Sequence, residues 1–414
     1  MTLKPLITPE DDRGFSIHTI PFGFGEAGGK QAAALSALGN QVVQLESLAT
    51  HGFLPGFEEH IKMCSRYGGL NPMLQMGRHR LGELRSLLQD LLQTGSELDK
   101  DRTLLANITH PIDDTYLMLP VYIGDYTDFY ASKYHAERVG AMFRGKEQAL
   151  QPNWLHLPVG YHGRASSIVP SDRIINWPNG QMPGENGPKF GPSKKVDFEL
   201  EFGCLTASGN LLGEPVSAEE TGNMIAGFLL VNDWSARDIQ AWEYVPLGPF
   251  TSKNFATSVS PWVIHPDALE PFKTEGPTPE VRPQSYLQQT GLTHYDIQLE
   301  VYLKPAGTDR EVRICQTNTR HLYWSMEQML AHQTVTGCNI RSGDLYASGT
   351  VSGPKPENGA CLLELTENGQ SPIALDGGKK RTFLESGDEV IMRGFAEKGE
   401  VRVEMGEVRG QIGE

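Results

Sequence analysis

Short segments in which apolar and polar residues alternate recur along the chain, and they constrain its fold more than any other feature. The clearest are VDFELEF (196–202), YDIQLEVYL (295–303) and DEVIMRG (388–394), whose period of two is typical of β-strands. Helical patterns are few, and they do not alternate regularly with the strands. This pattern predicts a mixed α/β, β-rich fold, a sandwich or roll rather than a doubly wound parallel sheet.

The character of the sequence changes near residue 118, which predicts two domains, 1–118 and 119–414. A length of 414 residues is also more than one hydrophobic core usually serves. The first domain combines glycine-split strand pieces with one helix in LGELRSLLQDLLQ, whose apolar stripe is Leu81, Leu84, Leu88, Leu91 and Leu92. The second is rich in strands and holds two Pro/Gly-rich loops, 170–195 and 265–291. A helix there is expected to begin at an S-x-x-Q capping box, Ser325 and Gln328, and to stop near Gly337.

Charge and composition exclude several functions. The chain has 36 Lys and Arg against 51 Asp and Glu, a net charge of −15, which argues against nucleic-acid or anionic membrane partners. The apolar runs, such as 224–231, are too short to span a bilayer, and the N-terminus has no signal-peptide pattern. The five cysteines form no C-x-x-C pair, which favours reduced thiols. We therefore expect a soluble cytoplasmic protein.

The segment 196–202 places its acidic residues on one face of the strand. Val196, Phe198, Leu200 and Phe202 point one way, whereas Asp197, Glu199 and Glu201 point the other. This face either meets solvent or brings carboxylates together around a cation. The apolar run 224–231 predicts a buried strand ending at Asn232 and Asp233, a position that often carries ligands or catalytic groups.

A helix is expected to follow, capped by Ser235 with Asp238 three residues later. It would align a cation, an amide and a phenol on one face: Arg237, Gln240 and Tyr244. Such a row suits an oxygen-rich anionic substrate, although a solvated helix face fits the spacing equally well.

Three further positions have chemical interest, each with a structural alternative. A helix starting near Thr127 would place Asp128 and His135 on one face, about 10 Å apart, where they could flank a substrate; a single histidine is more often structural. Lys253 is either a surface lysine or a counter-charge for carboxylates. Glu364 is flanked by leucines and, if buried, would need a partner such as His135.

A set of motifs in order along the chain carries a family resemblance. The motifs are IGDYTDFY, MFRG, PNWLHLPVGYHGRASS, ELEF, NDWSARDIQ, WEYVPLGPF, SPW, GDL-ASGT-SG and LEL. Together they resemble the fumarylacetoacetate hydrolase family over most of residues 119–414, and IPFG extends the likeness more weakly toward the N-terminus. The resemblance implies an SH3-like N-terminal β-barrel, a C-terminal mixed β-sandwich roll and a homodimer.

The resemblance also assigns residues. It implies metal ligands at Asp128, Glu199, Glu201 and Asp233, with magnesium described near Asp233, Lys253 and Thr257 and calcium often seen. It implies His135 as the catalytic base with Glu364 as its partner, and an oxyanion-stabilising set of Arg237, Gln240 and Lys253. The implied substrate contacts are Tyr130, Arg144, Tyr161, Tyr244 and Thr350. One departure is Ala256, where relatives can have glycine.

The expected reaction is hydrolysis of a carbon–carbon bond in 4-fumarylacetoacetate to fumarate and acetoacetate, the last step of tyrosine and phenylalanine breakdown. Ligands that are all carboxylates indicate a hard ion, Ca²⁺ or Mg²⁺. Two alternatives stay open at this point. One is another enzyme of the superfamily, such as an acylpyruvate hydrolase or a 2-oxo diacid decarboxylase or hydratase; the other is a non-catalytic calcium-binding β-module.

Overall fold

A seven-stranded sheet forms the centre of the fold in the computed structural model, which describes residues 3–11 and 13–413. Neighbouring strands are antiparallel except in two pairs, Tyr126–Phe129 with Leu345–Thr350 and Ile168–Pro170 with Thr257–Val259. The order across the sheet is Gly160–His162, Tyr126–Phe129, Leu345–Thr350, Leu200–Thr206, Ile225–Asp233, Thr257–Val259 and Ile168–Pro170.

A five-stranded sheet contributes to the core on one face of this central sheet. Its order is Val312–Asn318, Gln298–Lys304, Glu389–Lys398, Val401–Ile412 and Arg173–Ile175. Phe202 and Phe228 of the central sheet stack with ring centroids 4.8 Å apart, and they share a buried apolar cluster with Met392 and Met405. The two sheets thus enclose the larger hydrophobic core, and the expectation of a mixed α/β, β-rich fold is confirmed.

The opposite face of the central sheet packs against the N-terminal part of the chain. There Leu205 and Leu229 share a second apolar cluster with Leu84 and Leu88, two members of the predicted leucine stripe. A strand covered on both faces is apolar at every position, which explains the run 225–231. Glu199 and Glu201 are also buried, so the alternative in which this acidic face meets solvent is wrong.

A third sheet, of six strands, lies mainly in the N-terminal part. Its order is Trp262–Val263, Phe22–Glu26, Ala33–Leu38, Gln41–Gln44 and Thr109–Pro111, with Tyr116–Leu117 also paired to Phe22–Glu26. One of its strands, Trp262–Val263, therefore comes from the C-terminal part of the sequence. The described residues also form four small two-stranded sheets: Asn179–Met182 with Lys189–Pro192, Val196–Asp197 with Ser235–Ala236, Lys273–Thr274 with His294–Tyr295, and Ile373–Ala374 with Lys380–Arg381.

The α-helices of the described residues are between 4 and 14 residues long. The predicted capping box is present: Ser325 accepts from the Gln328 N–H at 3.1 Å, and Gln328 accepts from the Ser325 N–H at 3.0 Å. No helix of residues 3–11 and 13–413 is long and apolar enough to cross a membrane. The α-helices are Leu45–Thr50, Glu58–Tyr67, Asn71–Leu74, Arg78–Leu91, Glu97–Lys100, Arg102–Ile108, Lys133–Arg144, Ala218–Thr221, Arg237–Glu243, Pro266–Leu269, Met326–Thr334 and Leu362–Leu365.

Two predicted helix starts are wrong. Asp128 lies in the strand Tyr126–Phe129 and the helix begins only at Lys133, because the Ser132 side chain caps it by accepting from the His135 N–H. Ser235 lies in the short strand Ser235–Ala236, and its hydroxyl donates to the Asp233 carbonyl rather than capping the helix. Both Pro/Gly-rich loops also contain regular structure, a hairpin in 179–192 and the helix Pro266–Leu269.

Candidate active site

Four carboxylates from three strands and one connecting segment meet at one point of the central sheet. Asp128, Glu199, Glu201 and Asp233 each place an oxygen within 4.8 Å of the others, and all four are buried. A break in the acidic strand produces this convergence. Its first part, Val196–Asp197, pairs with Ser235–Ala236, whereas Leu200–Thr206 pairs with Ile225–Asp233. Glu199 lies at the break, so it can approach Glu201 and Asp233 instead of continuing the strand.

Several oxygens of this acidic cluster have no protein partner. Within the described residues, Asp128 Oδ1, both carboxylate oxygens of Glu201 and the Thr350 hydroxyl are buried without a hydrogen bond. Burial, together with the neighbouring carboxylates, holds the pKa of Asp128 and of Glu201 well above their ordinary values. Buried carboxylates without donors are costly unless a cation compensates them. An oxygen-only donor set fits a hard divalent cation rather than zinc.

Two buried cations border the acidic cluster. Lys253 Nζ lies 2.8 Å from Glu199 Oε2 and 2.6 Å from Asp233 Oδ2, and Arg237 Nη1 lies 2.6 Å from Glu199 Oε1. Burial alone would raise the pKa of Glu199, but Lys253 and Arg237 outweigh it and hold that pKa well below its ordinary value. The same carboxylates raise the pKa of Lys253 against its burial. Lys253 is therefore a buried counter-charge and not a surface lysine.

His135 and Glu364 form a buried dyad. Nδ1 of His135 lies 2.7 Å from Glu364 Oε2, and Tyr130 packs edge-on to the imidazole at 5.2 Å. Although burial alone would raise the pKa of Glu364, His135 and hydrogen bonds from neighbours lower it to about 2, so the carboxylate is ionised at neutral pH. With the Nδ1 proton donated to Glu364, Nε2 of His135 can accept a proton.

The dyad has partners that sequence reasoning missed. Ser352 donates its hydroxyl to Glu364 Oε2 at 2.6 Å, and Arg138 Nη1 lies 3.2 Å from Oε1. Arg138 follows His135 by three residues on one helix, a same-face spacing that offered a signal for it. Ser352 lies in the motif GDL-ASGT-SG, but no local pattern links it to Glu364, because only the fold brings the two side chains together. Cys361 also lies 3.4 Å from Glu364, but burial raises the pKa of its thiol, which therefore acts as a donor.

Removing the Ser352 hydroxyl tests how tightly Glu364 is held. Ser352 also accepts from the Ala360 N–H at 3.2 Å, so Ser352→Ala leaves two buried polar groups short of a partner. We expect the free energy of unfolding to fall by about 1.5–3 kcal/mol, measured by urea denaturation. The control is Ser217→Ala, whose hydroxyl donates to an exposed glutamate and whose loss should cost less. Equal losses for the two variants would contradict the role given to Ser352.

A cavity of about 520 Å³ connects the acidic cluster with the dyad. Five predicted site residues do not line the cavity: Glu201, Asp233, Thr257, Thr350 and Glu364. Of these, Thr257 donates to Asp233 Oδ1 at 3.2 Å. The predicted site residues that line the cavity are Asp128, Tyr130, His135, Arg144, Tyr161, Glu199, Arg237, Gln240, Tyr244 and Lys253.

Three predicted substrate contacts have partners within the protein. The Tyr161 hydroxyl donates to Asp233 Oδ2 at 3.1 Å, which places this ring beside the acidic cluster. Arg144 donates to two backbone carbonyls, those of residues 148 and 149. Tyr244, which ends the helix carrying Arg237 and Gln240, packs its ring 6.0 Å from that of Phe143. Arg237, Gln240 and Tyr244 thus share one cavity-facing side, as their spacing predicts.

Comparisons with known proteins agree with this arrangement of residues. Residues 126–412 match the family model described as fumarylacetoacetate (FAA) hydrolase C-terminal, and residues 18–120 match fumarylacetoacetase N-terminal. The chain is 45% identical to the fumarylacetoacetase of Arabidopsis thaliana over 414 residues, covering 99% of this chain and 98% of the relative. It is 44% identical to that of Homo sapiens over 407 residues, covering 97% of each.

A solved structure supports the fold independently of sequence identity. The fumarylacetoacetate hydrolase from psychrophilic Exiguobacterium antarcticum superposes with a TM-score of 0.54 at 12% identity, covering 95% of this chain and 99% of that one. At this identity the likeness concerns the fold alone. The central sheet and its covering layers are thus an arrangement shared with a distant protein.

Proposed function

The chain belongs to the fumarylacetoacetase family, and from this premise we propose that it hydrolyses 4-fumarylacetoacetate to fumarate and acetoacetate. The observation that carries the proposal is the cavity lined by both His135 of the dyad and Glu199 of the acidic cluster. A volume of about 520 Å³ suits a small ligand. A β-module that only binds calcium would leave the buried His135–Glu364 dyad without a function.

Asp128, Glu199, Glu201 and Asp233 would hold a divalent cation, and we propose Ca²⁺ or Mg²⁺ because every donor is oxygen. When bound, such an ion polarises the oxygens of a diketone and stabilises negative charge on them. Thr257 contacts Oδ1 of Asp233 and Lys253 contacts Oδ2, so both oxygens of this carboxylate are held by protein donors. The ion would neutralise carboxylates that Lys253 and Arg237 balance only in part.

His135 acts as the general base of the proposed reaction. Its Nε2 takes a proton from water, and the water oxygen attacks the carbonyl that joins the fumaroyl and acetoacetyl parts of the substrate. Ionised Glu364 stabilises the imidazolium that forms. The carbon–carbon bond then breaks, its electron pair leaves as the enolate of acetoacetate, and the proton returns from His135 to carbon. Water is consumed once and no oxidant is needed.

The oxyanion formed during the attack needs donors placed in advance. Lys253, Arg237 and Gln240 all line the cavity, and they would donate to the developing charge. Tyr130, Arg144, Tyr161, Tyr244 and Thr350 remain proposed substrate contacts. Cations beside the acidic cluster also allow an anionic diketo acid to approach so many carboxylates.

Replacing Lys253 separates its two roles. Lys253→Met removes an oxyanion donor, so we expect kcat to fall about 10²–10³-fold. The same change removes a positive charge beside the carboxylates, so affinity for Ca²⁺, measured by calorimetry, should increase. The control is Lys195→Met, because Lys195 donates to the Asn368 side chain at 2.8 Å and does not line the cavity. A Lys253 variant with weakened calcium affinity would contradict the counter-charge role.

The proposed function is tested by the loss of the diketone absorbance of fumarylacetoacetate with metal-loaded protein. Fumarate and acetoacetate as the only products support it. Turnover of acylpyruvates but not of fumarylacetoacetate would favour the related hydrolases, and release of carbon dioxide from a 2-oxo diacid would favour a decarboxylase.

Several finer features belong to the same proposal. We propose a cytoplasmic homodimer with an SH3-like domain over residues 1–118 and a β-sandwich roll over 119–414, acting in tyrosine and phenylalanine breakdown. The family membership supports these features, and sedimentation measures the oligomeric state directly.

A further inference from the structure

Asp197 is the one acidic residue of the segment 196–202 that takes no part in the acidic cluster as the structure describes it. It is fully buried, and it accepts four hydrogen bonds. Oδ2 accepts from Arg237 Nε at 2.8 Å and from the Leu363 N–H at 2.9 Å. Oδ1 accepts from the Leu362 N–H at 2.7 Å and from the Phe198 N–H at 2.8 Å. A carboxylate with four donors and no free oxygen is poorly suited to ligate an ion.

The partners of Asp197 belong to the machinery described above. Leu362 and Leu363 open the short helix that carries Glu364. Arg237 opens the helix that carries Gln240. Asp197 itself lies two residues before Glu199. One buried side chain therefore connects the elements that supply the dyad's carboxylate, an oxyanion donor and a proposed metal ligand.

The three guanidinium nitrogens of Arg237 differ in their contacts. Nε donates to Asp197, and Nη1 donates to Glu199 at 2.6 Å and to Gln240 at 3.1 Å. Among the described residues Nη2 has no hydrogen-bond partner, although it is buried, and Arg237 lines the cavity. Because the guanidinium is planar, fixing Nε and Nη1 also fixes the direction of Nη2.

We propose that Asp197 is a positioning residue that orients Arg237, so that Nη2 is presented to the oxyanion of the reaction. Without the Asp197 carboxylate, Glu199 is the only acidic partner left to Arg237 among the described residues, and the guanidinium can turn toward it. The oxyanion then loses a donor whose position was set in advance. This inference rests on the proposed function, because it assigns Asp197 a part in that reaction.

A double-mutant cycle tests the proposal. Asp197→Asn is expected to keep the oxygen that accepts from Leu362 and Phe198, while its amide group replaces the oxygen that accepts from Arg237 and from the Leu363 N–H. We expect kcat/KM to fall about 30-fold for Asp197→Asn and about 100-fold for Arg237→Met, mainly through kcat. The double variant should match Arg237→Met within about threefold, because Asp197 acts through Arg237. If the fold-losses of the two single variants multiplied in the double variant, the proposal would be overturned.

The chain offers a matched control in Asp388. This aspartate is also fully buried, pairs with a buried arginine, Arg381, at 2.7 Å, and accepts from two backbone N–H groups, those of residues 306 and 385. Neither residue lines the cavity. Asp388→Asn should lower the melting temperature as Asp197→Asn does, but leave kcat/KM within about threefold of the wild type at a temperature where both are folded. An equal loss of activity in Asp197→Asn and Asp388→Asn would mean that Asp197 has only a structural role.

Two further comparisons keep the test decisive. If Asp197→Asn alone does not fold, the double variant, which removes both charges of the pair, is compared directly with Arg237→Met. A crystal structure of the Asp197→Asn variant should show the Arg237 guanidinium displaced, and an unmoved Arg237 would overturn the inference whatever the activity. Wild-type protein that fails to turn over fumarylacetoacetate would instead reject the proposed function.

Discussion

His135→Gln is expected to lower kcat for fumarylacetoacetate about 10³-fold with little change in KM, because a positioned general base contributes about 10²–10⁴-fold. The glutamine amide can still donate a hydrogen bond toward Glu364, but it cannot take a proton from water. Nothing in the acidic cluster is altered, so the affinity for Ca²⁺ should stay near that of the wild type. Loss of the diketone absorbance measures turnover, and calorimetry measures the metal.

The control for this variant is a second buried histidine. His265 is fully buried, accepts from the Asp267 N–H and contacts the Arg78 carbonyl at 3.0 Å, yet it does not line the cavity. His265→Gln should lower stability and leave kcat within about threefold of the wild type. If His135→Gln retained wild-type turnover, the general base would have to be another group, and the role of Glu364 as its partner would fail with it.

The elements that sequence patterns predict well are those set by local rules. Alternation identifies the strands at 298–304 and 389–398, and the capping box at Ser325 gives a helix start that the structure confirms. The helix beginning near Thr127 is wrong because pairing with Leu345–Thr350 holds Tyr126–Phe129 in a strand. A strand partner more than two hundred residues away leaves no trace in a local window.

The residues of the site also divide into features that local sequence patterns predict and features that only the fold determines. The acidic pattern at 197–201 marks a place of interest, but it gives all three carboxylates the same face and hence the same role. The structure separates them: the strand breaks after Asp197, so this residue meets Arg237 while Glu199 and Glu201 join Asp233. Strand breaks of this kind depend on pairing across the sheet, which the segment alone does not encode. The resemblance proposed the other candidate site residues, because motifs shared with relatives carry information about the tertiary structure.

The second large effect is expected from Glu201→Gln. Both oxygens of the Glu201 carboxylate are buried and have no partner among the described residues, so the free protein carries a cost that a bound ion removes. In the presence of chelator we therefore expect the variant to unfold at a temperature no lower than the wild type. With Ca²⁺ at 100 times the dissociation constant, the wild type should gain about 2.7 kcal/mol, and the variant much less. Replacing a residue that only supports a metal ligand typically costs about 10- to 100-fold in activity. Because Glu201 is proposed as a ligand itself, turnover should fall by more than about 100-fold.

The pH dependence of this stabilisation has a defined sign. Burial and the neighbouring carboxylates raise the pKa of Asp128 and Glu201 in the folded protein. Protons therefore compete with the ion at pH values above those at which carboxyl groups ordinarily titrate. Calcium affinity should then decrease as the pH falls, and stabilisation by the ion should be lost with it. The metal-free wild type should behave oppositely and gain stability over the same interval, because the folded state binds those protons more tightly than the unfolded chain.

Glu300→Gln is the control that distinguishes loss of metal binding from the general effect of replacing a buried glutamate. Glu300 accepts from Arg313 at 2.7 Å and from the Tyr302 hydroxyl at 2.8 Å. Its carboxylate therefore has protein donors and does not depend on a bound ion for partners. Its variant should lose stability with or without calcium and keep the full calcium response. Wild-type protein whose melting temperature is unmoved by either Ca²⁺ or Mg²⁺ would show that the acidic cluster holds neither ion. The raised pKa values of Asp128 and Glu201 would then mean that the cluster is kept neutral by protons, and the polarisation of the diketone would have to come from Lys253 and Arg237 alone.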